Sequence, residues 1–204
     1  EQVNQAVLKD CAHFHVMGSS LFSFRIIDAM KKAIEIVKAQ GGTVSFDPNV
    51  RKEMLRIPEM REALAYILEF TDIFLPSGHE VTQLARSADE AGAIAEIFTR
   101  GVREIVVKRG ADGCSYFSAD ERIDLDALRV NVADPTGAGD CFGATFIACR
   151  RMGKTALQSL RYANAAGALA VSSKGPMEGT SGFAGLDALL AQQPQHLRHA
   201  VMEG

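Results

Sequence analysis

A glycine-rich turn, D-P-T-G-A-G-D at residues 134–140, carries the residue types best suited to chemistry on an anion. Pro135 fixes φ, and Gly137 and Gly139 supply positions where φ can be positive at little cost. The run leads into a predicted helix over residues 141–152, so unpaired backbone N–H groups and the positive end of the helix dipole converge on it. The pattern predicts an anion site, of which phosphate is the usual occupant.

Asp140 is the unusual member of this turn, because its carboxylate stands where the anion would bind. One interpretation is structural: Asp at a helix start is a common N-cap, and glycine-rich turns between a strand and a helix are frequent. The other interpretation gives the carboxylate a function beside the bound anion. The spacing of these residues alone leaves both interpretations open.

The bulk properties exclude several classes of function. The chain has 204 residues, 47% of them hydrophobic, and a net charge of −3, which suits one globular domain over residues 1–204. That charge gives no electrostatic basis for binding nucleic acid or an acidic membrane. No apolar run approaches the ~18 residues of a membrane span, and the N-terminus does not resemble a signal peptide. We therefore expect a cytoplasmic protein.

The cysteines and histidines give little support for a metal centre. The four cysteines are scattered without a CxxC pair, which is typical of reduced thiols in a cytosolic protein. His13 and His15 share one face of a predicted strand and could ligate a metal. Because no third ligand is nearby in the sequence, structural or surface histidines are the favoured interpretation.

Strands alternate with helices along most of the chain, which predicts an α/β fold with a mostly parallel sheet covered by helices on both faces. The predicted strands are residues 12–17, 43–46, 72–75, 104–108 and 128–133, with a hairpin of 114–117 and 123–125. In such sheets the ligand crevice lies beyond the carboxyl ends of the strands. Candidate motifs follow these ends, which predicts one composite site: Gly18, residues 47–51, 77–80, 108–113 and 134–140.

The turn and the residues after it, C-F-G-A-T-F at 141–146, closely resemble the C-terminal signature of the ribokinase-like (PfkB) carbohydrate kinases. The resemblance implies a three-layer α/β/α fold. It implies that Asp140 is the catalytic base and that the backbone of Gly137, Ala138, Gly139 and Asp140 forms the anion hole for the transferred phosphoryl group. Asp134 and Thr136 fall where many members bind a monovalent cation such as K⁺.

Two further segments resemble the nucleotide site of the same family. The run K-R-G-A-D-G at residues 108–113 is similar to its K-x-G-x-x-G turn, which implies that Lys108, Gly110, Ala111 and Gly113 contact ATP. Taken alone, such a turn also suits an ordinary hairpin. Asn164 matches the place where the family seats adenine. Its alternative interpretation is an Asn on a helix surface.

The remaining matches concern Mg²⁺ and the acceptor. Residues 77–80 align with the N-x-x-E motif, whose Glu holds Mg²⁺ largely through water, so the role passes to Glu80, while Ser77 replaces the Asn. The alternative is an acidic residue in a helix first turn. Residues 47–51 resemble the D-x-N-x-R segment of the fructokinase and 2-keto-3-deoxygluconate kinase branch. It implies that Asn49 and Arg51 contact substrate, whereas the alternative for Arg51 is a surface side chain.

The resemblance implies an ATP- and Mg²⁺-dependent kinase for a small sugar or sugar acid, with 2-keto-3-deoxygluconate or a related acid first and fructose second. The chain resembles the last two thirds of such a kinase, without the N-terminal strands and the β lid. Because that part normally excludes water from the acceptor site, we expect weak ATP binding and little turnover for this chain alone. For the full-length protein we expect a homodimer. The rival hypothesis is a non-catalytic regulatory or interaction subunit with the same fold. A nicotinamide-binding domain is disfavoured, because no G-x-G-x-x-G follows the first strand.

Overall fold

The computed structural model describes residues 3–50 and 53–201, and of residues 198–201 only the backbone. The described chain divides after Val107 into two compact units, which we describe separately. The expectation of one domain over residues 1–204 stays a prediction. No helix in the described ranges combines the length and the apolar character needed to cross a membrane.

The first unit pairs four parallel strands in the order β1-β2-β3-β4. Its elements in chain order are α1 Gln5–Leu8, β1 His13–Met17, α2 Phe24–Ala39, β2 Thr43–Asp47, α3 Pro58–Glu69, β3 Ile73–Phe74, α4 Gly78–Gln83, α5 Glu90–Thr99 and β4 Glu104–Lys108. Because all four strands run the same way, their carboxyl ends share one edge, and Met17 pairs there with Asp47. The alternation of strands and helices in this part of the chain was predicted correctly.

Local signals place the two long helices of this unit. Ser23 caps α2, its hydroxyl accepting the N–H of Ile26, and the helix buries an apolar face that includes Ile34 and Val37. Pro58 occupies the first position of α3, where its missing N–H costs nothing. Leu64, fully buried, lies on the inner face of that helix.

The second unit pairs three antiparallel strands in the order β5-β6-β7 and carries three helices. Its elements are β5 Cys114–Phe117, β6 Glu121–Leu125, α6 Ala138–Arg151, α7 Ala156–Val171, α8 Phe183–Gln192 and β7 Leu197–Val201. Helix α7 packs against α6, β5 and β6, and its small residues Ala163 and Ala165 are fully buried. Close packing of this kind is what an alanine-rich helix permits.

Two sequence predictions for this unit were wrong. Residues 128–133 form no strand, because their backbone groups bond elsewhere: Arg129 N–H and C=O both pair with the Gln193 side chain, and Ala133 N–H donates to the Val171 carbonyl. Strand β7 was missed, because the predicted strands end at residue 133. The anion turn therefore follows an extended segment and not a strand end.

Candidate active site

The glycine-rich turn opens helix α6 in a conformation that only glycine adopts easily. Gly137 is the N-cap, with φ of +80°, and its N–H and C=O groups are placed by that left-handed geometry. A Cβ at this position would also overlap the carbonyl oxygen of Pro176. Both the dihedral angle and the close approach exclude a larger residue, so the turn and the loop around Pro176 form one packed unit.

The first turn of α6 leaves donors pointing out of the helix. Ala138 N–H approaches the Pro135 carbonyl at 3.4 Å, and Cys141 N–H donates to the Gly137 carbonyl at 2.9 Å. Between them, the N–H groups of Gly139 and Asp140 find no backbone acceptor among the described residues. Free donors at a helix start attract an anion, as the sequence predicts.

Asp140 lies at the third position of α6 with an exposed side chain. The N-cap of this helix is Gly137, and no side chain caps it. The interpretation of Asp140 as an N-cap is therefore wrong. The carboxylate is free of any capping role and is accessible to a ligand at the helix start.

Lys108, the last residue of β4, reaches the same turn. A methyl group placed on Gly139 would lie 3.6 Å from Lys108 Nζ. Apart from the chain neighbours and the backbone of α6 itself, no other heavy atom of the described residues would lie within 4 Å of that methyl group. The half-buried ammonium group therefore lies beside the first turn of α6. It adds a full positive charge to the partial charge of the helix dipole.

The predicted nucleotide turn is a 3-10 turn over Gly110–Asp112, closed by a hydrogen bond of 2.9 Å from Arg109 N–H to the Gly113 carbonyl. Gly113 has φ of +92°, and a Cβ there would overlap the Leu125 carbonyl of β6. Gly110, with φ of +57°, faces open space, and Ala111 is exposed. The geometry leaves the outer side of this turn accessible.

Asp134 holds two loops together. Its Oδ1 accepts the N–H of Thr136 at 2.9 Å, and its Oδ2 accepts the N–H of Gly175 at 3.1 Å. Bonds from Thr136 and Gly175 hold the pKa of this carboxyl below its ordinary value. The carboxylate thus links the start of the anion turn to the loop that contacts Gly137.

We expect Asp134→Asn to lower the thermal unfolding temperature at neutral pH, because an amide oxygen accepts from only one of the two N–H groups. Since the folded-state pKa is depressed, the contribution is present above the unfolded value of about 3.9 and is lost as pH falls through the folded pKa. Thermal melts from pH 7 to pH 3 check this. A difference between wild type and variant that stayed constant to pH 3 would argue against it.

Asn164 is buried in α7, with 8% of its surface exposed, and its side-chain amide donates to the Asp126 carbonyl at 3.1 Å. The alternative of an Asn on the helix surface is therefore wrong. The side chain fixes the segment after β6, to which Gln195 also donates. An adenine contact for Asn164 stays a prediction.

The substrate candidates of the first unit lie after β2. Asn49 is exposed and has φ of +38°, an unusual value for a residue other than glycine, with Nδ2 at 3.5 Å from the Ser19 hydroxyl. A Cβ on Gly18 would overlap the Pro48 carbonyl, so the ends of β1 and β2 approach closely. Arg51 lies outside the described residues.

Glu80 is almost completely buried, at 3% exposure, and both carboxylate oxygens accept backbone N–H groups. Oε1 accepts from Val50 at 2.9 Å and Oε2 from Ser77 at 2.6 Å, completing a capping box at the start of α4. Glu80 therefore fixes the turn after β2 against the turn after β3. Among the described side chains, those of residues 3–50 and 53–197, no group of three or more His, Cys, Asp or Glu residues could hold a metal ion.

We expect Glu80→Gln to lower the free energy of unfolding by about 1–3 kcal/mol, because the new NH₂ group faces a backbone donor that then has no acceptor. Chemical denaturation checks this value. Glu59→Gln, at the exposed first turn of α3, is the matched control. Equal stability of the two variants would show that the Glu80 bonds are unimportant.

The histidines and cysteines have structural surroundings. His13 contacts the Thr43 and Ser45 hydroxyls at 2.7 and 2.8 Å, and His15 contacts Ser45 at 2.7 Å, which agrees with the structural interpretation. All four cysteines are free thiols, as predicted. Burial raises the pKa of Cys114 to about 12, and burial together with Asp140 raises the pKa of Cys141, so both thiols ionise less readily than a free cysteine.

Two contacts of this site were not predicted from the sequence. The Gly175–Pro176 segment supplies the N–H for Asp134 and the carbonyl that excludes a Cβ from Gly137, and neither contact was predicted. The position of the Lys108 ammonium was likewise missed. A side chain's direction depends on tertiary packing, for which a single sequence carries no signal.

Comparisons with known proteins identify relatives of this chain. Residues 1–181 match the pfkB family carbohydrate kinase profile. A protein from E. coli with the provisional name Ribokinase II, solved in an apo form and in complex with ATP and Mg²⁺, is 54% identical with a TM-score of 0.92. The apo structure matches over 94% of this chain and 62% of its own.

Two fructokinases are more distant relatives. The Vibrio cholerae enzyme, solved with fructose, ADP and calcium, is 28% identical with a TM-score of 0.76, over 87% of this chain and 60% of that one. Fructokinase-2 of Zea mays is 29% identical over 88% of this chain and 56% of its own length. The chain thus spans a little over half the length of the curated relatives it matches.

These matches confirm the ribokinase-like α/β fold with its mostly parallel strands. The profile covers most of the chain, and it includes the turn that opens α6. The chain belongs to the pfkB family of carbohydrate kinases.

Proposed function

We propose that the protein transfers the γ-phosphoryl group of ATP to a hydroxyl of a sugar or sugar acid. One observation carries the proposal: Gly137, at positive φ, starts α6 so that the Gly139 and Asp140 N–H groups lie free beside an exposed carboxylate. That combination suits a phosphoryl group and the hydroxyl that attacks it. The E. coli relative that binds ATP and Mg²⁺ supports the choice of donor.

The reaction is an in-line displacement. The acceptor oxygen forms a bond to the γ-phosphorus, the bond from that phosphorus to the β,γ-bridging oxygen breaks, and ADP leaves. The hydroxyl proton passes to the Asp140 carboxylate. The backbone of Gly137, Ala138, Gly139 and Asp140 stabilises the charge on the transferred oxygens. Because the transition state is loose, Asp140 first orients the hydroxyl and accepts its proton late.

Lys108, Gly110, Ala111 and Gly113 are the proposed nucleotide contacts, together with Asn164. The accessible outer side of the 3-10 turn supports this role for the first four residues. One N–H of the Asn164 side-chain amide donates to the Asp126 carbonyl, which leaves the second N–H available to the adenine base. These roles rest on the family resemblance and on geometry within the second unit.

Glu80 is the proposed Mg²⁺ residue. Its burial and its two backbone bonds suit an ion held through water, because each carboxylate oxygen keeps a second lone pair. When bound, Mg²⁺ neutralises charge on the ATP phosphates. Asp134 and Thr136 are the proposed K⁺ residues, since both Asp134 oxygens are fixed by N–H donors and each keeps a lone pair.

The acceptor is proposed to be 2-keto-3-deoxygluconate or a related sugar acid, with fructose second. Asn49 and Arg51 are the proposed contacts, and a guanidinium suits a carboxylate or phosphate. The fructokinase relatives support fructose as a member of any substrate test. The cytoplasmic location and the homodimer stay predictions.

A panel of sugars and sugar acids, incubated with ATP and Mg²⁺ and the full-length gene product, tests the function. We expect one acceptor class to give a kcat/KM at least tenfold above the others. Wild-type protein that phosphorylated no member of the panel would overturn the proposal.

A non-catalytic subunit with the same fold is the second candidate. Ser77, where the family motif has Asn, favours it, because a hydroxyl is shorter and offers one donor. The exposed Asp140 and the intact turn favour catalysis. A failed panel together with specific capture of a full-length pfkB-family kinase would support the second candidate.

A further inference from the structure

We propose that Lys108 binds the phosphoryl group in transfer, and not only the nucleotide, so that it is a catalytic residue of the reaction proposed above. The inference rests on that proposed function. Lys108 was assigned from its sequence motif to the nucleotide turn of residues 108–113. Its side chain, however, lies beside Gly139 in the first turn of α6.

The Lys108 ammonium group lies close to the backbone donors at the start of α6. Nζ would lie 3.6 Å from a methyl group on Gly139, so the ammonium group is within reach of any anion bound to the Gly139 and Asp140 N–H groups. A backbone hydrogen bond from Arg109 N–H to the Gly113 carbonyl closes the turn that follows Lys108. The lysine is thereby held at one end, while its long stem crosses to the helix start.

The chemistry of the transfer explains why a cation is useful there. In a loose transition state, negative charge spreads over the three equatorial oxygens of the transferred group. The helix end supplies only about half a positive charge, whereas an ammonium group supplies a full charge and three donors. A half-buried position strengthens the interaction relative to water.

The missing side chain of Gly139 leaves the space that the phosphoryl group would occupy. It is a helical residue without positive φ, so its backbone geometry does not require glycine. The space that a Cβ would fill is the space between the helix backbone and the Lys108 ammonium. A phosphoryl oxygen in that space contacts the N–H groups on one side and Nζ on the other.

The test is steady-state kinetics of the full-length gene product. We expect Lys108→Met to lower kcat by about 10²–10³-fold while the KM for ATP changes by less than about threefold, as for other transition-state donors. Lys108→Arg keeps the charge and recovers part of the loss. Lys154→Met, which removes another half-buried lysine, contacting Tyr162 and Phe183, is the control and keeps the wild-type kcat.

Gly139→Ala is a second variant that does not endanger folding, because Ala is favoured over Gly within a helix by about 1 kcal/mol. We expect a lower kcat at unchanged or higher stability. Wild-type kcat for either Gly139→Ala or Lys108→Met, or a Lys108→Met effect confined to the KM for ATP, would overturn the inference.

A binding measurement separates this inference from the proposed function. Aluminium fluoride with ADP and Mg²⁺ imitates the transferred phosphoryl group without requiring turnover. We expect calorimetry to show capture of aluminium fluoride by wild-type protein and much weaker capture by Lys108→Met, with a far smaller loss of ADP affinity. Equal capture, or no capture by either protein, overturns the role of Lys108 even if the wild type phosphorylates sugars. An inactive wild type that still captures the fluoride overturns the sugar-kinase function alone.

Discussion

Replacing Asp140 by Asn in the full-length gene product is expected to lower kcat for sugar phosphorylation by about 10³-fold, within the range for loss of a general base. The amide occupies the same exposed position at the start of α6 but does not accept the hydroxyl proton. Because Asp140 makes no capping bond, its removal leaves the helix start intact. The measurement is initial rate against ATP and acceptor concentration.

Asp120→Asn is the matched control for this variant. Asp120 is an exposed acidic residue before β6 in the same unit, with no proposed role. We expect it to keep wild-type kcat, and both variants to keep the wild-type unfolding temperature within a few degrees. An Asp140→Asn protein with wild-type turnover would show that another group takes the proton.

Replacing Gly137 by Ala has the largest expected effect on the site's structure. An alanine with φ of +80° is strained by about 1–3 kcal/mol, and its Cβ overlaps the Pro176 carbonyl, which adds a cost of about 1–3 kcal/mol. We expect the free energy of unfolding to fall by about 2–6 kcal/mol. We also expect kcat to fall by about 100-fold, because the N–H donors move away from the phosphoryl position.

Gly153→Ala isolates the backbone part of this effect. Gly153 has a similar φ of +77°, but a Cβ there would meet nothing within 4 Å. Its cost is limited to about 1–2 kcal/mol of strain, and activity is unchanged. If Gly137→Ala and Gly153→Ala lowered the free energy of unfolding equally and had the same kcat, the contact with Pro176 would not be needed to position the glycine-rich turn.

The elements that could be predicted from the sequence are those fixed by local signals. Ser23 and Pro58 mark the starts of α2 and α3, alternation of apolar residues marks β1, and short apolar segments mark β2 and β4. The glycine-rich turn and the helix after it were also predicted. In each case the signal lies within a few residues of the structure that it specifies.

The failures have non-local causes. Val130 and Val132 make residues 128–133 β-like, but the Gln193 side chain, 64 positions from Arg129, takes the backbone groups that a strand would pair. Strand β7 forms by pairing with β6, and the two strands lie far apart along the chain. The contact of Gly137 with Pro176 and the direction of Lys108 are likewise set by tertiary packing, so the sequence motifs did not predict them.

The most direct test of the account is a ³¹P NMR measurement on the full-length gene product. The protein and its Asp140→Asn variant are incubated with ATP, Mg²⁺ and the best acceptor of the panel. The account predicts that wild-type protein converts the γ-phosphate signal into one sugar phosphate monoester and an equal amount of ADP, while the variant gives about a thousandth of that rate. ADP formed without a sugar phosphate, or equal rates for the two proteins, would contradict it.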